Sequence, residues 1–183
     1  MSLLKDVLAN EVYPAFGCTE PVSCAYAAAL AAAQLDGPVE SLMLKVDPGT
    51  YKNGAAVTVP CSNGAKGNLA AAALGAALAR PEAKLQLLEQ VTSETLKRAQ
   101  SLLSQNKCRI ECLSGHADFR VEVEVSDNRQ SARCILAGGH TNIESIEKNG
   151  QGVFDANPAS PKQRTLAYRD ALRRVGVIEL LSM

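Results

Sequence analysis

The sequence predicts an α+β domain of two layers, an antiparallel sheet covered on one face by alanine-rich helices. Three observations carry that reading. Two stretches, residues 20–35 and 67–79, are dense in alanine and read as helices. After residue 107 the apolar period changes from 3.6 to 2, with Phe119, Val121, Val123 and Val125 alternating with Arg120, Glu122 and Glu124. The chain is 46% hydrophobic but only 4% aromatic and lacks tryptophan, so small side chains must let its helices approach closely. At 183 residues it is long enough to bury a real core. Residues 1–157 are expected to form the domain, and 158–183 a C-terminal helix and apolar tail leading towards a second domain.

Taken in order, Leu3, Leu4, Val7, Leu8 and Val12 recur at helical spacing and stop before Pro14. Thr19 is an expected N-cap and Pro21 suits a first helical turn. That helix should end at Asp36-Gly37-Pro38. A strand follows, with Leu42, Leu44 and Val46 on one face, broken by Asp47-Pro48-Gly49. Residues 49–68 read as a glycine-rich loop interrupted by a short strand at 55–59. It lacks the adjacent Gly-Lys-Ser/Thr of a phosphate-binding loop. A helix over 67–79, a helical stretch after Pro81 and a helix from Ser93 to Gln105 come next. Strands follow at 108–112, 119–125, 129–137, 143–148 and 151–154, with hairpin turns at Asp127-Asn128 and Asn149-Gly150. Pro158 and Pro161 mark a loop before a helix from Gln163 to Arg174, and Val177 to Leu181 is an apolar end.

Nineteen basic and nineteen acidic residues balance to zero with no basic stripe, which argues against nucleic acid and anionic membrane as partners. The longest apolar run, Ala25 to Ala33, is too short to span a bilayer. Six cysteines, at 18, 24, 61, 108, 112 and 134, show no CxxC pair, and no signal peptide is visible. A reduced, cytoplasmic protein is expected. Cys24, Cys108, Cys112 and Cys134 are assigned to the core and Cys61 to the exposed loop. No metal ligands are assigned, since a cluster needs about four convergent thiolates.

The stretch Gly17-Cys18-Thr19-Glu20-Pro21 delivers a cysteine to the start of a buried helix. A free thiol of pKa about 8.5 is only about 3% thiolate at pH 7, and a helix N-terminus can lower that pKa by about two units. Cys18 is therefore expected to be the most acidic thiol, the plain alternative being a structural cysteine. Glu20 would tune Cys18, hold a substrate ammonium, or simply complement the helix dipole. Lys52 and Asn53 are candidates for a substrate carboxylate, Lys52 otherwise being a solvated loop residue. His140, in a turn with Gly139, Thr141 and Asn142, is either structural or a proton-transfer group. His116 reads as a surface turn residue.

Gly17-Cys18-Thr19-Glu20-Pro21 resembles the GCTEP signature of the L-cysteine desulfidase family, which is related to iron–sulfur L-serine dehydratases. Lys52-Asn53-Gly54, Val57-Thr58-Val59-Pro60, the run Ala70 to Ala77 around Gly75, and Gly138-Gly139-His140-Thr141-Asn142-Ile143 support it in order. The resemblance implies a lyase that converts L-cysteine to pyruvate, ammonia and sulfide, with Cys18 as the base that removes the α-proton. It implies a substrate site drawn from Glu20, Lys52, Asn53, Gly54, His140, Thr141 and Asn142. It also places an iron–sulfur (4Fe-4S) cluster on a C-terminal domain supplied in cis or trans, so that this chain alone is expected to hold no cofactor and to be inactive. A homodimer is allowed for. The alternatives are half of an L-serine dehydratase-like enzyme, or a stand-alone, non-catalytic small-molecule binding domain. The loop from Lys52 to Gly67 and the turn from Gly138 to Asn142 are expected to face Cys18 across one cleft.

Overall fold

The computed structural model describes residues 3–12, 14–156 and 166–176. They fall into two compact units, one of Ala15–Asp155 and one that gathers Met1–Pro14 with Ala156–Met183. In chain order the elements are α1 (Leu3–Glu11), α2 (Thr19–Ala32), β1 (Ser41–Val46), α3 (Pro48–Gly54), α4 (Asn68–Leu78), a 3₁₀ turn (Lys84–Gln90), α5 (Ser93–Ser104), β2 (Cys108–Cys112), β3 (Arg120–Ser126), β4 (Ser131–Ala137), β5 (Ile143–Lys148), β6 (Gln151–Asp155) and α6 (Leu166–Leu172). In the smaller unit α1 packs on α6. The prolines expected to form a loop at 158 and 161, the first residues of the expected last helix and the apolar end 177–181 lie outside the described residues.

The larger unit is α+β, as the change of period predicts. Its sheet has the order β2-β1-β3-β4-β5-β6. All neighbours run antiparallel except β1 and β2, which are parallel. The expected plain meander is thus corrected. β1, which precedes β2 by three α-helices and a 3₁₀ turn, is inserted between β2 and β3. The long helical connection from β1 to β2 is what a parallel pair requires. The hairpins fall where Asn128, Asn149 and Gly150 adopt φ of 71°, 52° and 75°, the left-handed conformations that such tight turns need.

The inner face is a set of lateral rows. Ile110, Leu44, Val123, Cys134, Ile146 and Phe154 are paired in register across all six strands. Leu44, Val123 and Cys134 are fully buried, whereas Phe154 is 46% exposed because the helical layer does not reach β6. Each fully buried aliphatic side chain in such a row contributes about 1.5–3 kcal/mol. The outer face carries a charge network: Arg120 Nε donates to Glu122 Oε1 at 2.6 Å, Arg133 Nη2 donates to Glu122 Oε2 at 2.6 Å, and Arg120 Nη1 reaches Glu144 Oε1 at 3.0 Å.

α2 explains the alanine content. Every residue from Pro21 to Ala32 is buried, because the helix lies on β3 and β4 while α4 packs against it. A methyl group at Gly75 would overlap the Ala25 carbonyl, so the two helices touch backbone to backbone. Only glycine permits that approach.

Three further expectations are overturned. The loop after β1 is not a loop at its start: Asp47 caps α3, its carboxylate accepting from Thr50 N at 3.0 Å, with Pro48 in the first turn. The expected strand at 55–59 reduces to one isolated bridge between Thr58 and Lys66. Cys112, assigned to the core with Cys108, is exposed. β2 is an edge strand, and its last residue runs past the cover that buries Cys108.

Candidate functional site

The turn before α2 is held from two sides. Phe16 N donates to Leu85 O at 2.9 Å, and Gly17, at φ 106°, leaves no room for a Cβ against the Pro60 ring. This geometry delivers Cys18, rather than Thr19, to the N-cap of α2, at φ −67° and ψ 133°. Its side chain does not cap the helix. Instead Cys18 Sγ donates to Glu20 Oε2 at 3.0 Å, and Thr19 Oγ1 donates to the same oxygen at 3.2 Å. The other carboxylate oxygen, Oε1, accepts from Asn53 Nδ2 at 3.3 Å. Glu20 is therefore the hub of a thiol, a hydroxyl and an amide from two different helices.

Electrostatics follow the hydrogen bonds. Partial burial and the Glu20 carboxylate, as acceptor and as negative charge, push the Cys18 thiol above its ordinary value. The expected acidic thiol is thereby corrected: the helix N-terminus is present, but partial burial and the acid two residues on outweigh it. Reciprocally, the Cys18 hydrogen bond holds Glu20 below the usual carboxylate range against the effect of burial, with Asn53 and Thr19 assisting.

α3 brings the second segment. Asp47 is 5% exposed, yet its charge is fully used: Oδ1 accepts from Thr50 N, and Oδ2 from Thr50 Oγ1 at 2.7 Å and from Arg120 N at 3.1 Å. One carboxylate thus ties the end of β1 to the start of β3 and sets the start of α3. At the far end of that helix Asn53 meets Glu20, while Lys52 is exposed and Gly54 is buried. Gly54 has no space for a side chain because Asn68, at the start of α4, lies against its α-carbon.

The third segment lies at the same end of the sheet. The end of β1 pairs with the start of β3, and β3 begins opposite the end of β4. Gly138 N donates to Phe119 O at 3.0 Å, and the His140 ring packs against Phe119 at a tilt of 50° with centroids 4.6 Å apart. Asn142 closes its own turn, its Nδ2 donating to Ala137 O at 2.6 Å. Thr141 is half-buried. Among the described residues no hydrogen bond joins this turn to Cys18 or Glu20. The structure therefore brings together Cys18, Glu20 and Asn53, with Gly54 directly behind. Residues 140–142 share only their end of the sheet.

Sequence reasoning missed Asp47 and Asn68. The signal for Asp47 was available: Asp followed by Pro at the end of a strand is a helix start as well as a break. Asn68 carried no such signal, since its importance comes from what folds against it.

The iron–sulfur cluster that the GCTEP resemblance implies does not fit the thiols of this chain. Cys24 and Cys134 are wholly buried and Cys108 is 7% exposed. Among the described residues no group of three or more His, Cys, Asp or Glu side chains could hold a metal ion. Nor, among those residues, is any helix long and apolar enough to cross a membrane.

Fold and site define a two-layer α+β domain that presents a cysteine at a helix N-terminus, hydrogen-bonded to the carboxylate two residues on. Relatives of the chain are UPF0597 proteins. It is 42% identical over 183 residues to that of Geobacter sulfurreducens, 38% over 183 residues to that of Elusimicrobium minutum, and 32% over 178 residues to that of Clostridium tetani. It spans 43%, 43% and 42% of their lengths, so each is more than twice as long. No family model and no solved structure matches the chain.

Proposed function

We propose that this chain supplies the proton-abstracting half of a β-eliminating lyase acting on L-cysteine, with Cys18 as the base. The observation that carries the reading is the contact of Cys18 Sγ with Glu20 Oε2 at 3.0 Å. Partial burial and the Glu20 carboxylate favour the protonated thiol. A substrate ammonium bound to Glu20 would neutralise the charge that opposes the thiolate, so that substrate binding itself favours the basic form of Cys18. Asn53 orients Glu20 for that contact, and the exposed Lys52 is the point charge for the substrate carboxylate. Cys18 gives up its own proton to solvent as the thiolate forms, and the substrate α-proton then passes to Sγ. The Cα–H electron pair becomes the Cα=Cβ bond as the Cβ–S bond breaks, leaving aminoacrylate and sulfide. Aminoacrylate hydrolyses to pyruvate and ammonia. The remaining length of the relatives is the source of the group that receives the departing thiol, in cis or trans. The six free cysteines suit a reducing, cytoplasmic setting.

The test is exchange of the substrate α-hydrogen in heavy water, a partial reaction that needs only the base. Incubated with L-cysteine and then L-serine, the chain should wash deuterium into the α-position, and Cys18→Ser should not. Faster exchange with L-serine would transfer the reading to a serine dehydratase-like enzyme. No exchange by this chain or by a full-length relative, with both amino acids still bound, would replace catalysis by a binding role. That alternative is favoured by the direction of the Cys18 shift, since partial burial and the Glu20 carboxylate push the thiol above its ordinary value.

A further inference from the structure

Asn68 is 2% exposed and sits at the first position of α4, after Gly67 at φ 94°. Its Nδ2 donates to Thr50 O at 2.7 Å. Its Oδ1 lies against the α-carbon of Gly54 and is, among the described residues, the buried side-chain oxygen left without a hydrogen-bond partner. A buried amide oxygen in that state costs about 1–3 kcal/mol relative to a satisfied one. Turning the amide over would not help, since it would set oxygen against the Thr50 carbonyl. The side chain thus grips α3 at two points, the Thr50 carbonyl and the Gly54 α-carbon. Between them in sequence lies Asn53, whose amide meets Glu20. The other end of the same short helix is fixed by Asp47. A helix of seven residues has little stability of its own, so these two anchors decide where Asn53 stands.

We propose that Asn68 is a positioning residue of the Cys18–Glu20 pair, acting through the last turn of α3 by holding Asn53 against the Glu20 carboxylate. The role assigned to the pair rests on the lyase reading, but the positioning is a property of the fold. It also explains why position 54 is glycine: a side chain there would displace Asn68 and move the turn that carries Asn53. Asn68 touches neither Cys18 nor Glu20 in this arrangement, so its influence is confined to the geometry of their partner.

The test uses the 183-residue chain with Cys61→Ser and Cys112→Ser, which leaves Cys18 as the exposed thiol. The rate of iodoacetamide alkylation is followed against pH for this background and for Asn53→Ala, Asn68→Ser and the double variant, alongside amide hydrogen exchange of residues 51–54. Releasing Asn53 frees Glu20 to leave the thiol. Asn53→Ala and Asn68→Ser should each move the Cys18 midpoint down by about half a unit, about threefold in rate below the midpoint. The double variant should move it no further, and exchange in the last turn of α3 should quicken in Asn68→Ser. A folded Asn68→Ser with the background's profile and unchanged exchange would overturn the proposal, as would additive shifts in the double variant. If Asn68→Ser does not melt cooperatively, the coupling is read in reverse: the Asn68 side-chain amide resonances must move in Asn53→Ala, and unmoved resonances overturn it. Neither readout needs turnover, so its failure and the failure of α-hydrogen exchange are separate results.

Discussion

The Cys18 thiol and the Glu20 carboxylate meet at 3.0 Å across one residue of sequence, with the thiol as donor. The helix N-terminus on which Cys18 stands favours an anion, and the anion there is Glu20, held below the usual carboxylate range chiefly by the Cys18 hydrogen bond. The contact therefore favours the proton on sulfur and the charge on the acid.

Glu20→Gln should make Cys18 more reactive. Burial raises the thiol pKa first and Glu20 second, so the substitution removes the second cause and leaves the first. Alkylation of Cys18 at neutral pH is expected to rise about threefold, with the midpoint moving down towards 8.5. An unchanged or slower rate would mean that Glu20 does not hold the proton. The same variant should lose α-hydrogen exchange of L-cysteine, because the ammonium partner is gone.

Asp47→Asn should destabilise the fold and remove a pH dependence. Burial raises the Asp47 pKa, but hydrogen bonds from the Thr50 hydroxyl, the Thr50 and Arg120 amides and the Gly49 amide outweigh it, so the folded value lies below the ordinary one. A depressed folded pKa contributes stability that is fully present above the unfolded value of about 3.9 and is lost as pH falls through the folded value. Denaturant melts at pH 7 should show a loss of about 2 kcal/mol in Asp47→Asn. The difference between the two proteins should shrink below about pH 4. A pH-independent difference would point to packing instead.

The helix crossing gives a contrast between two glycines. Gly75→Ala sets a methyl group into the Ala25 carbonyl, and neither backbone can yield without separating α2 from α4. About 3 kcal/mol of stability should be lost. Gly152→Ala, on the exposed edge strand with nothing within 4 Å of the added atom, should change stability by no more than about 0.5 kcal/mol. Equal melting temperatures for the two variants would refute the close packing of these helices.

Thiol counting checks the core directly. In the native chain Cys18, Cys61 and Cys112 should react with a thiol reagent, and Cys24, Cys108 and Cys134 only after denaturation. Burial pushes Cys108 up to about 11 and Cys134 to about 12, which adds a chemical barrier to the steric one. Rapid reaction of four or more thiols without denaturant would show that the sheet or helix layer is misplaced.

Periodicity and turn chemistry determined most of this protein. The helices at 19–32 and 68–78, the five strands after residue 107 and the two asparagine hairpins were all legible, because each depends on neighbours a few residues away. The likeness of the motifs singled out Cys18 with Glu20, Lys52, Asn53, Gly54, His140, Thr141 and Asn142, and of these the fold hydrogen-bonds Glu20 to Cys18 and to Asn53. What tertiary structure alone decided is everything that depends on a distant partner. Strand order is one case: β1 lies between β2 and β3 because the open edge of β1 is filled by a strand more than sixty residues later, a choice no local pattern records. The exposure of Cys112 is another, set by where the helical layer stops. The sign of the Cys18 shift is the third. Position at a helix N-terminus argued for an acidic thiol, but partial burial and the Glu20 carboxylate, held by Asn53 from α3, push it above its ordinary value. Local sequence specifies which groups are available; only the packed chain fixes the distances over which their charges act.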